Sequence, residues 1–257
     1  MDKYKKKHKS IILKSGGQVE DDLFVTKVGV LMTKKSRVTK EAIDLFEDLN
    51  IDQDTLECEQ HAEFNSRITY LSFKDKKTSS KEYNNMMINE LGHRSVYNDE
   101  HVTFLISGCS LETMLEFVAH NEATVARLTS SKTFSQNDTL YRIQTKGLSE
   151  EFIQYQKDTV LKFVSMFRKE DNKLNELENE INNILNLGNK AVSFTITMSI
   201  KDWYKTIIGR LSHHGVENEM IEIVEEILSI LQKEYPFFFK SKEEYYAMNN
   251  NNKYLGV

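Results

Sequence analysis

The chain has 257 residues, 39% hydrophobic and 28% charged, with a net charge of −5. That is enough to bury a sizeable core, in the balance of an ordinary globular protein. A single Pro and 10 Gly exclude collagen-like and linker-rich chains, and 2 Cys, Cys58 and Cys109, exclude a disulfide framework or a Cys-based zinc centre, so no metal is expected. No apolar run reaches membrane-spanning length, so the expectation is a cytoplasmic protein with no membrane partner.

In chain order, Lys3, Lys5, Lys6, Lys7 and Lys9 crowd the N-terminus. Such a charge run reads first as a flexible basic tail over residues 1–20, with an arm for nucleic acid or an anionic surface as the alternative. The acidic balance of the rest argues against nucleic acid as a partner. Asp22–Thr33 reads as a strand. Thr39 is placed to cap a helix carrying Ile43, Phe46 and Leu49. Ile68–Phe73 is a second strand candidate, and Tyr83–Leu91 a short helix stopped by Gly92.

His101–Ile106 alternates as a strand and feeds a helix within Ser107–Lys132. Leu111, Met114, Leu115, Val118 and Ala119 fall at i, i+3, i+4, i+7 and i+8, a core stripe. Thr113, Glu116, His120, Thr124, Arg127 and Ser131 then lie opposite, either as a solvated face or as a row turned to a ligand. A long helical pattern follows from about Ser149 to Asn186, and Ala191–Met198 is a strand. Ser199, with Asp202, caps a helix striped by Trp203, Ile207 and Leu211, and the last long helix runs from about Val216 to Glu234 before Pro236. The fold class is α+β: a small, mostly antiparallel sheet with long helices. Residues 21–240 form one domain and 241–257 a C-terminal tail.

Two further places gather chemistry. One is Gly92-His93-Arg94-Ser95 followed by Glu100-His101. The other is Arg210 with His213 and His214, adjacent residues that cannot share a helix face as a metal pair would. No P-loop, no G-x-G-x-x-G and no G-x-S-x-G is present.

At these places the sequence resembles the flavin-dependent thymidylate synthases. Gly92-His93-Arg94-Ser95…Glu100-His101, then Val102–Ser110, then a helix into Ala119-His120-Asn121 with Thr129 beyond, follow the family's order. Phe194–Arg210 resembles its later strand and helix ending in an essential Arg, and the likeness covers residues 83–132 and 190–238. The family's fold and chemistry are implied: FAD-dependent methylation of dUMP to dTMP in a homotetramer, with methylenetetrahydrofolate and NADPH as co-substrates. By position, Arg210 would be catalytic. His93, Ser95, His120, Asn121, Glu122, Ser199, Lys201 and His214 would face the cofactor. Glu116, Arg127, Thr129, Ser130, Ser131, Lys132 and Asn183 would face the nucleotide.

The sequence departs from the pattern where Ala119 and Asn121 replace both arginines of an Arg-His-Arg signature and Ser131-Lys132 replaces Arg-Tyr. Phosphate binding then falls to Arg127 or Lys132. Each missing charge-assisted hydrogen bond costs on the order of 1.5–3 kcal/mol. The alternative is a catalytically inactive homologue, repurposed for binding or assembly.

Overall fold

A computed structural model describes residues 3–72, 78–119, 124–127, 139–167, 189–213 and 215–249. The chain divides into two compact units. Unit 1 comprises Met1–Leu31, Phe104–Ile196 and Glu217–Ile223, and unit 2 comprises Met32–Thr103, Thr197–Val216 and Val224–Val257. The architecture is α+β.

Unit 1 begins with α1 (Lys3–Lys14). The lysine-rich start, expected as a flexible tail, is a helix because it has an inner side: His8 and Ile12, one helical turn apart, are 3% and 0% exposed. Ser15, just past its end, hydrogen-bonds to Ser107, which donates to the Gly29 carbonyl at 3.3 Å.

The expected strand Asp22–Thr33 is two strands, β2 (Phe24–Lys27) and β3 (Gly29–Lys35), in different sheets. They part at Gly29, where a side chain would meet Ser15, Ser107 and the Ile12 carbonyl. β1 (Gln18–Glu20) pairs antiparallel with β2, and β2 pairs parallel with β6 (Tyr141–Arg142). Against them lies α6 (Glu150–Phe167), which places Val160 and Val164 in a cluster with Phe24, Tyr141 and Ile143.

The second sheet has the order β3, β4 (His101–Ser110), β7 (Ala191–Ser199), β5 (Thr124–Arg127). Helix α5 (Leu111–Ala119) follows β4 directly. The expectation of one helix carrying Thr113 through Ser131 on a single face is corrected here: Thr124–Arg127 is a strand. The stripe is corrected too. Leu111, Met114 and Phe117 are buried, whereas Leu115 and Val118 are 55% and 43% exposed.

In unit 2, α2 (Lys40–Asp48) starts at Thr39, whose hydroxyl accepts from the Ala42 amide at 3.3 Å, as the sequence suggests. The expected strand over Ile68–Phe73 is corrected: Ile68, Thr69 and Tyr70 are the last residues of α3 (Glu57–Tyr70), and Phe73 lies outside the described residues. Arg67 explains the override of local propensity, with Nε donating to Glu63 at 2.6 Å and its guanidinium 4.1 Å from the Tyr83 ring centre. α4 (Ser80–Asn85) passes into a π turn at Met86–Glu90, and a 3-10 turn covers Arg94–Tyr97.

α7 (Ile200–Leu211) is capped by Ser199, and α8 (Asn218–Glu234) follows it. Residues 242–249, expected in a tail, form α9 (Lys242–Asn249), held by the buried Tyr245. Tyr97, Trp203, Tyr235 and Phe238 anchor the core of this unit. Tyr97 packs edge-on to Phe238 at 5.0 Å, and the Trp203 indole donates to the Val102 carbonyl at 3.2 Å.

Candidate functional site

In unit 1 the strand–turn–helix is fastened by one buried ion network. Gly108 has φ +81°, and a side chain there would press on Val25, so the turn requires glycine. Ser110 then caps α5: its hydroxyl accepts from the Thr113 amide at 3.1 Å. The Glu219 carboxylate completes the junction, accepting from the Ser110 amide at 3.0 Å and the Thr113 hydroxyl at 2.7 Å. An anion at a helix N-terminus is favoured by the helix dipole.

Glu219 is paired with Arg142, which is 4% exposed. Arg142 Nε donates to Glu219 at 2.8 Å, Nη1 to the Val25 and Ile143 carbonyls at 3.2 and 2.9 Å, and Nη2 to Gln144 and Glu222 at 3.1 and 2.9 Å. A guanidinium has five N–H groups; all are engaged. Arg142 is therefore unable to stand in for the two signature arginines that Ala119 and Asn121 replace. Burial raises the Glu222 carboxyl above its usual range, and Arg142 offsets part of that. Glu217 is raised as well, by burial first and then by Glu112, Glu116 and Glu219.

Unit 2 presents polar groups of the opposite character. His93 precedes the 3-10 turn, and its Nδ1 lies 2.9 Å from the Tyr70 hydroxyl, with the two rings edge-to-face at 5.5 Å. Its Nε2 has no hydrogen bond among the described residues. Arg94 lays its guanidinium over the Tyr204 ring at 4.7 Å, and its buried Nε has no partner among the described residues. Arg210 stands in the last turn of α7, half-buried, one position before the buried Leu211. His61 hydrogen-bonds through Nδ1 to the buried Glu100 at 2.9 Å, and that bond raises the imidazole pKa.

Of the residues expected at a site, His93, Ser95, Ser199, Lys201 and Arg210 belong to unit 2. Ser95 is exposed and Lys201 half-buried. Ser199 is engaged as a helix cap, accepting from the Asp202 amide at 3.1 Å and donating to its carboxylate at 2.6 Å. Glu116, half-buried on α5, and Arg127, at the end of β5, belong to unit 1. Thr113, set beside Glu116 in the expected polar row, is fully buried against Glu219. His120, Asn121, Glu122, Thr129, Ser130, Ser131, Lys132, Asn183 and His214 lie outside the described residues. Among the described residues, no cluster of three or more His, Cys, Asp or Glu could hold a metal ion, and no helix is long and apolar enough to cross a membrane.

Sequence reasoning missed Arg142 and Tyr70. Arg142 sits in a strand of two residues, too short to show a period. Tyr70 falls in a stretch whose residue types favour a strand. A local signal did exist for Tyr70: it follows Glu63 and Arg67, a pair at i, i+4.

The sequence model of the family described as thymidylate synthase complementing protein matches residues 51–237. A search of curated proteins returns no match. Among solved structures, thymidylate synthase X from Helicobacter pylori with FAD and dUMP is similar at a TM-score of 0.59 and 14% identity, over 84% of this chain and 98% of that one. The UMP/dUMP methylase PolB from Streptomyces cacaoi, bound with 5-Br UMP, is similar at 0.62 and 11% identity, over 88% and 97%. At these identities the structures establish the fold.

Proposed function

The chain belongs to the flavin-dependent thymidylate synthase family, and on that premise we propose that it methylates dUMP, or a closely related pyrimidine nucleotide, at C5. The observation that carries this reading is the family match across residues 51–237, within which His93, Ser95 and Arg210 stand in the family's order. Methylenetetrahydrofolate is the carbon donor and NADPH the reductant in this reading. The assembly is a homotetramer in the cytoplasm.

The described residues of unit 2 fit a flavin. His93 keeps Nε2 available, and Arg94 has a buried Nε without a partner among the described residues. Ser95 is exposed and Lys201 half-buried. His93, Ser95 and Lys201 would hold the cofactor, with His120, Asn121, Glu122 and His214 completing the set expected from sequence. Ser199 contributes through the start of α7, since its hydroxyl is engaged there. Bound FAD supplies the hydride chemistry of the reaction.

Arg210 supplies fixed positive charge. Its guanidinium would hold the negative charge that develops near N3 of the pyrimidine, which is electrostatic stabilisation by a preorganised cation. Arg127 or Lys132 would anchor the nucleotide phosphate in place of the missing arginines, with Glu116, Thr129, Ser130, Ser131 and Asn183 orienting the nucleotide.

The test is tritium release from dUMP labelled at C5, with FAD, NADPH and methylenetetrahydrofolate present. Wild-type protein is expected to bind FAD and release tritium. Arg210→Ala is expected to keep its flavin and lose release by roughly 100-fold or more. A wild type that ignores both FAD and dUMP overturns the reading in favour of a repurposed homologue. Release that survives Arg210→Ala shows that another residue activates the base.

A further inference from the structure

Tyr70 is half exposed, yet its hydroxyl is fixed on His93 Nδ1 at 2.9 Å. A phenol hydroxyl can donate to an imidazole nitrogen that carries no proton. With the hydroxyl as donor, Nδ1 accepts and the proton resides on Nε2, which has no hydrogen bond among the described residues.

Apolar side chains close to the pair in sequence are exposed. Leu71, the residue after Tyr70, is 82% exposed, Ile68 is 48%, and Leu91, two positions before His93, is 56%. Leu71 has φ +49°, a conformation costly for a side chain of its size, and it ends α3 at Tyr70. An exposed aromatic ring packed edge-on to an imidazole with an N–H to donate supplies the parts of a platform for a flat heteroaromatic ring with an acceptor on its edge.

We propose that Tyr70 is a positioning residue of the cofactor site: it holds His93 as the Nε2–H tautomer, and its ring supports the flat ring system of the flavin while His93 donates to an acceptor on that ring's edge. This rests on the flavin-dependent reading above. The hydroxyl and the ring have separable roles. Tyr70→Phe removes the tautomer lock and keeps the platform; Tyr70→Leu removes both.

Two measurements on the full chain test it. In long-range 1H–15N correlation spectra of the flavin-free protein, wild-type His93 is expected to show a bare Nδ1 and a protonated Nε2, and Tyr70→Phe a mixture of tautomers. In equilibrium FAD titrations, Tyr70→Phe is expected to weaken binding about three- to tenfold, and Tyr70→Leu on the order of tenfold or more beyond wild type. The proposal is overturned if wild type binds FAD and both variants bind it equally well, or if wild-type His93 carries its proton on Nδ1. If wild type binds no FAD, the functional reading itself fails, and the proposal fails with it.

Discussion

Two polar constellations in this chain look alike as residue lists and differ in what their atoms leave open. In unit 1, Arg142, Glu219, Glu222, Ser110 and Thr113 are buried or nearly so, and every N–H of the guanidinium has an acceptor. In unit 2, His93 and Arg94 are half-buried, and each keeps a nitrogen without a partner among the described residues. A saturated buried network fixes backbone geometry and has nothing to offer a ligand. A partly satisfied, half-buried one does. On the function proposed here the first group is support and the second recognition, although the polar face expected on α5 points to the first.

The largest effect should come from unpairing the buried network. Arg142→Ala leaves the Glu219 carboxylate buried without its cation and is expected to cost about 3–5 kcal/mol in urea unfolding. A loss under about 1 kcal/mol would break the support assignment. Next is acid. Burial holds His8 neutral, with its pKa lowered from 6.5 to about 4. The unfolded chain binds a proton there that the native chain does not. Stability is therefore full above 6.5 and falls as the pH drops toward 4, by up to about 3 kcal/mol. His8→Gln should flatten that slope in unfolding curves taken across the range.

Thr113→Val removes one charge-assisted hydrogen bond to Glu219 and should cost about 1.5–3 kcal/mol of stability while leaving FAD affinity unchanged. The smallest effect belongs to His61, whose pKa is raised by its bond to Glu100. Its contribution runs opposite to that of His8: present below 6.5 and lost as the pH rises through the raised folded value. Glu100→Gln should remove it, measured as the difference in unfolding midpoint between mildly acidic and alkaline buffer.

Much of the frame was legible because its signals are local. Thr39 and Ser199 cap helices where a side-chain oxygen precedes a helical apolar stripe, and β7 alternates cleanly between Val192 and Met198. The errors came where distant residues decide. Thr113 reads as surface until Glu219, 106 positions later, buries it. Ile68 and Thr69 favour a strand by type, but Arg67 is held in a helix by Glu63 and Tyr83. The lysines of α1 suggest a tail until His8 finds Ser193, 185 positions away, at 2.8 Å. His93 and Arg210 are proposed for the site from their order in the chain alone. Tyr70 carries no such signal, because its contact with His93 joins residues 23 positions apart.

The division between support and recognition is tested most directly by an FAD titration of His93→Ala beside an unfolding curve of the same protein. The account predicts at least roughly tenfold weaker binding with the unfolding midpoint unchanged. Unaltered FAD affinity in a folded His93→Ala protein, against a wild type that binds, would contradict it.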